Sequence, residues 1–166
     1  MEDKAIGKIS RGYLLSLLLL MVVLPAISVW IDYVPYPGTP FMVLVGKWFV
    51  FWAVGVRLFA AGIRQAAKPL FTLRDIFHVQ DPGGQVVVRE LGFANICFGL
   101  TGMLSLFIPS WRPAAAFAGG LYMGIAGVYH LVKKPETPNE VLAMVSDIYI
   151  LLITAAYLAN VFLSAQ

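Results

Sequence analysis

Residues 141–163 of the chain have the sequence VLAMVSDIYILLITAAYLANVFL, and this stretch decides the fold class. As an α-helix it would be about 34 Å long, which is enough to cross the hydrocarbon core of a bilayer. Its one charged residue is Asp147. A charge inside a membrane span costs roughly 2.5–3.5 kcal/mol, so we expect Asp147 to face a partner or a hydrated cavity.

Four further apolar stretches are long enough to be membrane spans. Together with residues 141–163, the predicted spans are 13–31, 41–63, 89–108, 113–132 and 141–163. The connector between the second and third spans is 64–88. The chain has 166 residues, of which 60% are hydrophobic and 13% are charged, and this composition excludes an ordinary soluble domain. The sequence therefore predicts an all-α membrane bundle with five transmembrane helices in a single domain.

Most basic residues border the predicted spans on the side of the N-terminus. They are Lys4, Lys8, Arg11, Arg64, Lys68, Arg74, Arg89, Lys133 and Lys134. The opposite side has Arg112, and also Lys47 if its side chain extends outward. Because basic residues favour the cytoplasmic side, we expect a cytoplasmic N-terminus and a C-terminus outside. The alternative for the first span is a signal peptide, since Ala26-Ile27-Ser28 resembles a cleavage site.

Two segments between the spans carry signals for the start of a helix. Thr137-Pro-Asn-Glu140 has the pattern of a capping box, with proline at the first helical position. In the connector, Thr72 is predicted to cap a short helix whose apolar side chains lie in the headgroup layer. The alternative for the connector is a loop that is held only by the neighbouring spans.

Small residues form a stripe on the third span and another on the fourth, which predicts close helix packing. The first stripe consists of Gly92, Asn95, Gly99 and Gly102, and the second of Ala116, Gly120, Gly124 and Gly127. Because both stripes allow a close approach, we expect these two helices to pack against each other as an antiparallel hairpin.

Polar residues from four different spans form a candidate ligand or proton site at similar depth. They are Arg57, Glu90, Asn95, His130 and Asp147. Measured from the predicted cytoplasmic ends, Arg57 lies about 9 Å deep and Asp147 about 10 Å deep. We therefore expect these two residues to pair in a cavity that opens to the cytoplasm, with Glu90 and His130 nearby. The alternative is an ion pair that only fixes helix register, with Glu90 and His130 solvated at the interface.

Motifs for catalysis and metal binding are absent from the sequence, which has no HExxH, paired CxxC, GxSxG or P-loop pattern. The single cysteine, Cys97, falls within a predicted span, and the net charge of +3 is small. We therefore predict no catalytic residue, no metal site and no nucleic-acid partner. An enzyme is disfavoured, and any cofactor stays unknown.

Four segments carry a specific pattern of polar and apolar positions. They are Phe51-Trp-Ala-Val-Gly-Val-Arg57, Ala61-Gly-Ile-Arg-Gln65, Arg89-Glu-Leu-Gly-Phe-Ala-Asn95 and Ala143-Met-Val-Ser-Asp147. Over residues 45–160 the chain resembles a functionally uncharacterised family of prokaryotic multi-pass membrane proteins, classed as a domain of unknown function. The resemblance implies a small protein of the bacterial inner membrane and no assigned catalytic residues. A looser similarity to the DoxX-like four-helix membrane proteins concerns architecture only.

Several functions fit a membrane bundle with a polar interior site. We expect the protein to bind or move a small solute or a proton at that site. The main alternative is an accessory or assembly subunit of a larger membrane complex, and a weaker one is a redox or lipid-modifying enzyme. The expected partners are the lipid bilayer and either further copies of the chain or other membrane subunits.

Overall fold

Helices make up nearly all of the structure, a computed structural model that describes residues 9–164. Five of them are long and apolar enough to cross a membrane. They are α1 (Arg11–Tyr33), α2 (Phe41–Ala67), α3 (Gly84–Leu104), α4 (Pro109–Lys133) and α5 (Pro138–Leu163). No β-strand occurs within residues 9–164, so the predicted all-α fold with five span-length helices is confirmed. The basic residues Lys4 and Lys8 lie outside the described range.

Several helices begin or end several residues away from the predicted positions. Helix α2 continues to Ala67 instead of 63, and α3 begins at Gly84 instead of 89 and ends at Leu104 instead of 108. The added turns contain polar residues that form helix readily but interrupt the apolar stretch. Hydropathy therefore located the membrane-compatible core of each helix and not its hydrogen-bonded ends.

Two of the long helices contain a π-helical turn. One covers Leu19–Val23, directly before Pro25, which has no amide hydrogen to donate. The other covers Val50–Val56, and it ends where the amide of Arg57 donates to the carbonyl of Trp52. A π-turn inserts an extra residue and rotates the side chains that follow it. The direction of the Arg57 side chain is therefore set by the turn before it.

The small-residue stripes pack against partners other than the predicted ones. A Cβ on Gly92 would lie 2.8 Å from the carbonyl oxygen of Gly62, and one on Gly102 would lie 2.7 Å from Cα of Gly55, both in α2. The stripe of α4 faces α5, where a Cβ on Gly124 would lie 2.7 Å from Leu151. The predicted packing of the two stripes on each other is therefore wrong: each stripe fits a neighbour on its other side, and α3 contacts α4 through side chains such as Phe98 and Tyr122.

The remaining packing glycines follow the same division. Gly99 meets Phe59 of α2, whereas Gly120 meets Thr154 and Gly127 meets Ile148 of α5. All six glycines predicted to serve helix packing thus contact another helix so closely that a side chain would collide with it. The bundle is built from two tight pairs, α2 with α3 and α4 with α5.

The connector folds against the bundle. It contains a short π-helical turn, Thr72–Ile76, in which Thr72, Leu73 and Ile76 are buried. The residue at the N-cap position is Phe71, and Thr72 does not cap the turn, so that prediction is wrong. Burial of Leu73 and Ile76 inside the protein also differs from the predicted position in the headgroup layer. The connector therefore contributes a wall to the interior of the bundle.

The predicted start of α5 is present. The hydroxyl of Thr137 accepts a hydrogen bond from the amide of Glu140 at 3.3 Å, and Pro138 is the first helical residue. The side chain of Glu140 departs from the capping-box pattern, since it accepts from the amide of Glu136 at 2.9 Å. The carboxylate is thereby turned toward the connector and α4.

Candidate functional site

A cavity of about 230 Å³ lies at the end of the bundle where α1 begins and α2 ends. All five long helices and the connector contribute to its wall. Its polar lining residues are Tyr13, Ser16, Arg57, Arg64, Gln65, Thr72, Asn95, Tyr122, His130 and Asp147. Besides Arg57 and Asp147, the predicted site residues were Glu90, Asn95 and His130. Of these three, Asn95 and His130 line the cavity. Its size suits a small solute or a few water molecules.

Arg57 and Asp147 meet in the wall of this cavity. The guanidinium Nη2 donates to Asp147 Oδ1 at 2.8 Å and to the hydroxyl of Ser146 at 3.2 Å. The second guanidinium nitrogen, Nη1, lies 3.5 Å from the sulfur of Met123. The side chains are only 13% and 11% exposed, so the charges are removed from bulk water and compensate each other. The pair joins α2 to α5.

The pair lies deeper than the predicted helix ends implied. Arg57 is about 15 Å along the helix axis from Ala67, and Asp147 is about 14 Å from Pro138. These distances are about half the thickness of a bilayer hydrocarbon core. The greater distance follows directly from the longer helices, and either charge within a membrane span is costly without its partner.

Asn95 lines the cavity and carries a buried hydrogen-bond acceptor. Its amide nitrogen donates to Gln65 Oε1 at 2.6 Å, which links α3 to α2. Its carbonyl oxygen Oδ1 is buried and has no hydrogen-bond partner among the described residues. The residue is 4% exposed, so bulk water does not satisfy this atom. A buried acceptor of this kind costs free energy until a donor reaches it, and a solute or an ordered water in the cavity would supply one.

Glu140 is a carboxylate that the site prediction missed. It is fully buried and accepts from His130 Nδ1 at 3.1 Å and from Lys133 Nζ at 3.4 Å, both through Oε1. Its other oxygen, Oε2, lies 3.2 Å from Nε2 of His78. Glu140 therefore ties the end of α4 and the connector to the start of α5. Its spacing of seven residues from Asp147, on the same helix face, was a signal for a shared role.

The structure separates Glu90 from the rest of the predicted site. Glu90 is exposed and does not line the cavity. Helix α3 begins at Gly84, so Glu90 lies in its second turn, on a face that points away from the bundle. Glu140 does not line the cavity, but it contacts His130, which does.

Aromatic side chains surround the polar groups. Tyr13 lies beside Arg57. The guanidinium carbon of Arg64 lies 5.5 Å from the centre of the Phe71 ring, over its face. Tyr122 stacks on Phe98 and also lines the cavity. Arg64 is exposed at the margin of the cavity, so the cationic groups Arg57 and Arg64 outnumber the one carboxylate in its wall, Asp147. The arrangement favours a neutral or anionic solute.

Metal chemistry finds no support within residues 9–164, where no three His, Cys, Asp or Glu residues are grouped to hold an ion. A second ion pair lies at the opposite end of the bundle, where Lys47 donates to Asp32 at 2.6 Å. Trp48 donates to the same oxygen of Asp32 at 2.8 Å. The side chains of Lys47 and Asp32 are 29% and 27% exposed, so this pair is more open to solvent than Arg57 and Asp147.

Comparisons with known proteins return no match to a family model, a curated protein or a solved structure. The resemblance described above therefore stays a prediction. What is established is an all-helical chain whose five long helices are compatible with a multi-pass membrane protein.

Proposed function

We propose that this protein is a multi-pass membrane protein that admits and binds a small polar solute, neutral or anionic, or a proton, in the Arg57–Asp147 cavity. The observation that carries the proposal is the buried carbonyl oxygen of Asn95, which has no hydrogen-bond partner among residues 9–164 and belongs to a residue in the cavity wall. Few buried polar atoms in native proteins lack a partner, so this acceptor supports a site that a donor can reach.

The positions of charges support a particular orientation. The basic residues Arg11, Arg64, Arg89 and Lys133 all lie at the end of the bundle that contains the cavity. By the positive-inside tendency, this end faces the cytoplasm of a bacterial cell, with the protein in the inner membrane. The cavity then exchanges solute with the cytoplasm.

The accessory-subunit alternative predicts that the small-residue stripes and the apolar faces of the helices contact a partner. These stripes are occupied by helices of the same chain, since the glycines of α3 contact α2 and those of α4 contact α5. The stripes are therefore used internally and do not support a partner subunit, whereas apolar side chains such as Ile125 stay exposed to lipid or to a partner.

Cysteine labelling tests whether the cavity admits polar solutes from water. The native Cys97 is first replaced by alanine, because its side chain is exposed. A126C then places a thiol in the cavity wall, whereas I125C places one on the outward face, where Ile125 is 63% exposed. The probe is the anionic reagent sulfonatoethyl methanethiosulfonate, which reacts only when an ionised and hydrated thiolate attacks its sulfur and displaces sulfinate.

The expected result is rapid labelling of A126C in inside-out membrane vesicles and no labelling of I125C, which faces lipid. Both variants must elute from a sizing column as the parent protein does. An unreactive A126C in protein that passes this check would refute the proposed function, because the cavity would then be closed to water-borne solutes.

A further inference from the structure

Three residues in the wall of the Arg57–Asp147 cavity carry acceptor atoms that have no donor within the described part of the chain. Arg57 binds only Oδ1 of Asp147, and Oδ2 forms no hydrogen bond there. The buried Oδ1 of Asn95 is the second such atom. The third is Nε2 of His130, which accepts in the neutral ring because Nδ1 donates to Glu140. A solute that pairs with these atoms carries hydrogen-bond donors.

A cation stands at the margin of the same cavity. Arg64 is exposed, and its guanidinium lies over the ring of Phe71, which also lines the cavity and holds the charge at the margin. Arg57 and Arg64 are seven residues apart in one helical segment, so they share a helix face and lie about 10 Å apart along its axis. The cavity therefore has the carboxylate of Asp147 at its deep end, level with Arg57, and a positive charge at its margin.

We infer that the solute of this cavity is a small amino acid, with its ammonium group at Asp147 and its carboxylate at Arg64. The inference rests on the proposed function and names the class of solute for the same cavity. An ammonium group has three donors and a positive charge, so its hydrogen bond to a carboxylate is roughly twice as strong as that of an uncharged donor. A zwitterion is also neutral overall, so it brings no net charge to the buried ion pair.

The wall between the two charged ends limits the size and shape of the solute. Ala60 and Ala61 lie between Arg57 and Arg64 in α2, and both line the cavity. The volume of about 230 Å³ is below the roughly 300–1,000 Å³ of sites for drug-sized ligands. A short methylene chain that separates an ammonium group from a carboxylate has the same order of charge, apolar surface and charge. The cavity therefore suits a linear amino acid with its charges at opposite ends.

Solutes that lack one of the two charged groups fit the cavity less well. A monocarboxylate pairs with Arg64 but offers no donor to Asp147 or Asn95. An amine pairs with Asp147 but meets the excess of positive charge from Arg57 and Arg64 without a carboxylate to offset it. A hydroxy acid supplies a donor, but its hydrogen bond to Asp147 is weaker because the hydroxyl is uncharged. Each of these rivals differs from the amino acid by one group, so a matched series of ligands separates them.

Isothermal titration calorimetry of the unaltered protein in a mild detergent tests the class of solute. The probes γ-aminobutyrate, butyrate, butylammonium and 4-hydroxybutyrate share one carbon chain and differ only in their end groups. We expect γ-aminobutyrate to bind at least about tenfold more tightly than each of the other three, the lower end of the effect of losing a hydrogen bond to a charged group. The shorter β-alanine and the longer 5-aminopentanoate are compared with their own singly charged analogues in the same way.

Two variants assign the ends of the solute to the ends of the cavity. R64Q should weaken binding of γ-aminobutyrate by about fivefold and strengthen binding of butylammonium by up to about fivefold, because Arg64 attracts a carboxylate and repels a lone cation. A general structural defect would move both affinities in the same direction. D147N should remove the preference for γ-aminobutyrate over 4-hydroxybutyrate. The control R74Q should change no affinity, since Arg74 is exposed on the connector and does not line the cavity.

The class of solute is wrong if none of the three amino acids binds, or if a singly charged analogue or the hydroxy acid binds as tightly as the amino acid. These comparisons use the unaltered protein, so they decide the question even if D147N does not fold. Labelling of A126C in inside-out vesicles distinguishes the two proposals. Labelling without a preference for amino acids overturns the class of solute alone, whereas absence of labelling overturns the proposed function as well.

Discussion

Arg57 of α2 and Asp147 of α5 are joined through a single guanidinium nitrogen and a single carboxylate oxygen, 2.8 Å apart. The nitrogen that binds Asp147 also binds Ser146, and the other terminal nitrogen faces the sulfur of Met123. The pair therefore lacks the parallel two-bond geometry that makes arginine and carboxylate strongest together. Part of the carboxylate is left for the cavity, which is consistent with a site that receives solute.

Glu140 should be essential for holding the connector against the bundle. Glu140→Ala removes the common acceptor of His78, His130 and Lys133, and leaves the buried ring of His130 without its hydrogen-bond partner. We expect a loss of about 1–3 kcal/mol in the free energy of unfolding, typical of leaving a buried hydrogen-bonding group without its partner. Unfolding in mixed detergent micelles measures this loss, and trypsin should cut the connector faster at Arg74.

The control for this prediction is Glu90→Ala, which removes a carboxylate that is exposed and does not line the cavity. Its effect should stay within about 0.5 kcal/mol. Equal effects of the two substitutions would mean that the contacts of Glu140 do not stabilise the fold.

Close packing of α2 and α3 should make Gly62 intolerant of any side chain. A Cβ there would lie 2.6 Å from the carbonyl oxygen of Gly92 and 2.7 Å from the amide of Ile96, and backbone cannot move aside as a flexible side chain can. Gly62→Ala should therefore destabilise the protein by about 1–3 kcal/mol, the usual range for overpacking. Thermal unfolding in detergent provides the measurement.

Gly12 provides the matched control, since a Cβ at that position has nothing within 4 Å. Because alanine forms helix better than glycine, Gly12→Ala should be neutral or stabilising by up to about 1 kcal/mol. Destabilisation by both substitutions would contradict the packing of α2 against α3 described here.

The sequence was sufficient for features that depend on local pattern. Long apolar stretches defined five helices, and the similar depths of Arg57 and Asp147 were enough to predict their pairing. Thr137 with Pro138 fixed the start of α5. Each of these inferences uses only the composition of one segment, or the free-energy cost of a charge in the apolar interior of a membrane.

Other features depend on which faces meet in three dimensions. Glycines at 55 and 62, seven residues apart, form the partner surface on α2, and a count of small residues on α3 and α4 alone could not identify it. The site around Glu140 requires the connector to fold back so that His78 reaches it. That approach passes through a left-handed backbone at His78, with φ of 57°, which no hydrophobic pattern indicates.

Arg64 should influence which solutes enter the cavity. Its side chain is exposed at the cavity margin, where a positive charge attracts anions and repels cations. In the A126C background, Arg64→Gln should lower the ratio of labelling rates for anionic over cationic methanethiosulfonates by up to roughly thirtyfold, since a unit charge at close range in water attracts the anion and repels the cation by about 1 kcal/mol each.

Arg74→Gln is the control for Arg64, because Arg74 is exposed on the connector but does not line the cavity. Its ratio should match that of the parent protein. If both substitutions change the ratio equally, the effect comes from the overall surface charge and not from the cavity entrance.

The central claim is that two charges buried in an apolar bundle stabilise it only as a pair, and a double-mutant cycle on Arg57 and Asp147 tests this most directly. Unfolding free energies in detergent are compared for Arg57→Ala, Asp147→Ala and the double variant, with the more exposed Asp32 and Lys47 as the reference cycle. We expect each single substitution to cost about 3–5 kcal/mol, and the double variant to cost less than their sum by at least about 1 kcal/mol. The reference pair should show a coupling of about 0–1 kcal/mol. Additive losses at Arg57 and Asp147 would contradict the account, because the two charges would then not depend on each other.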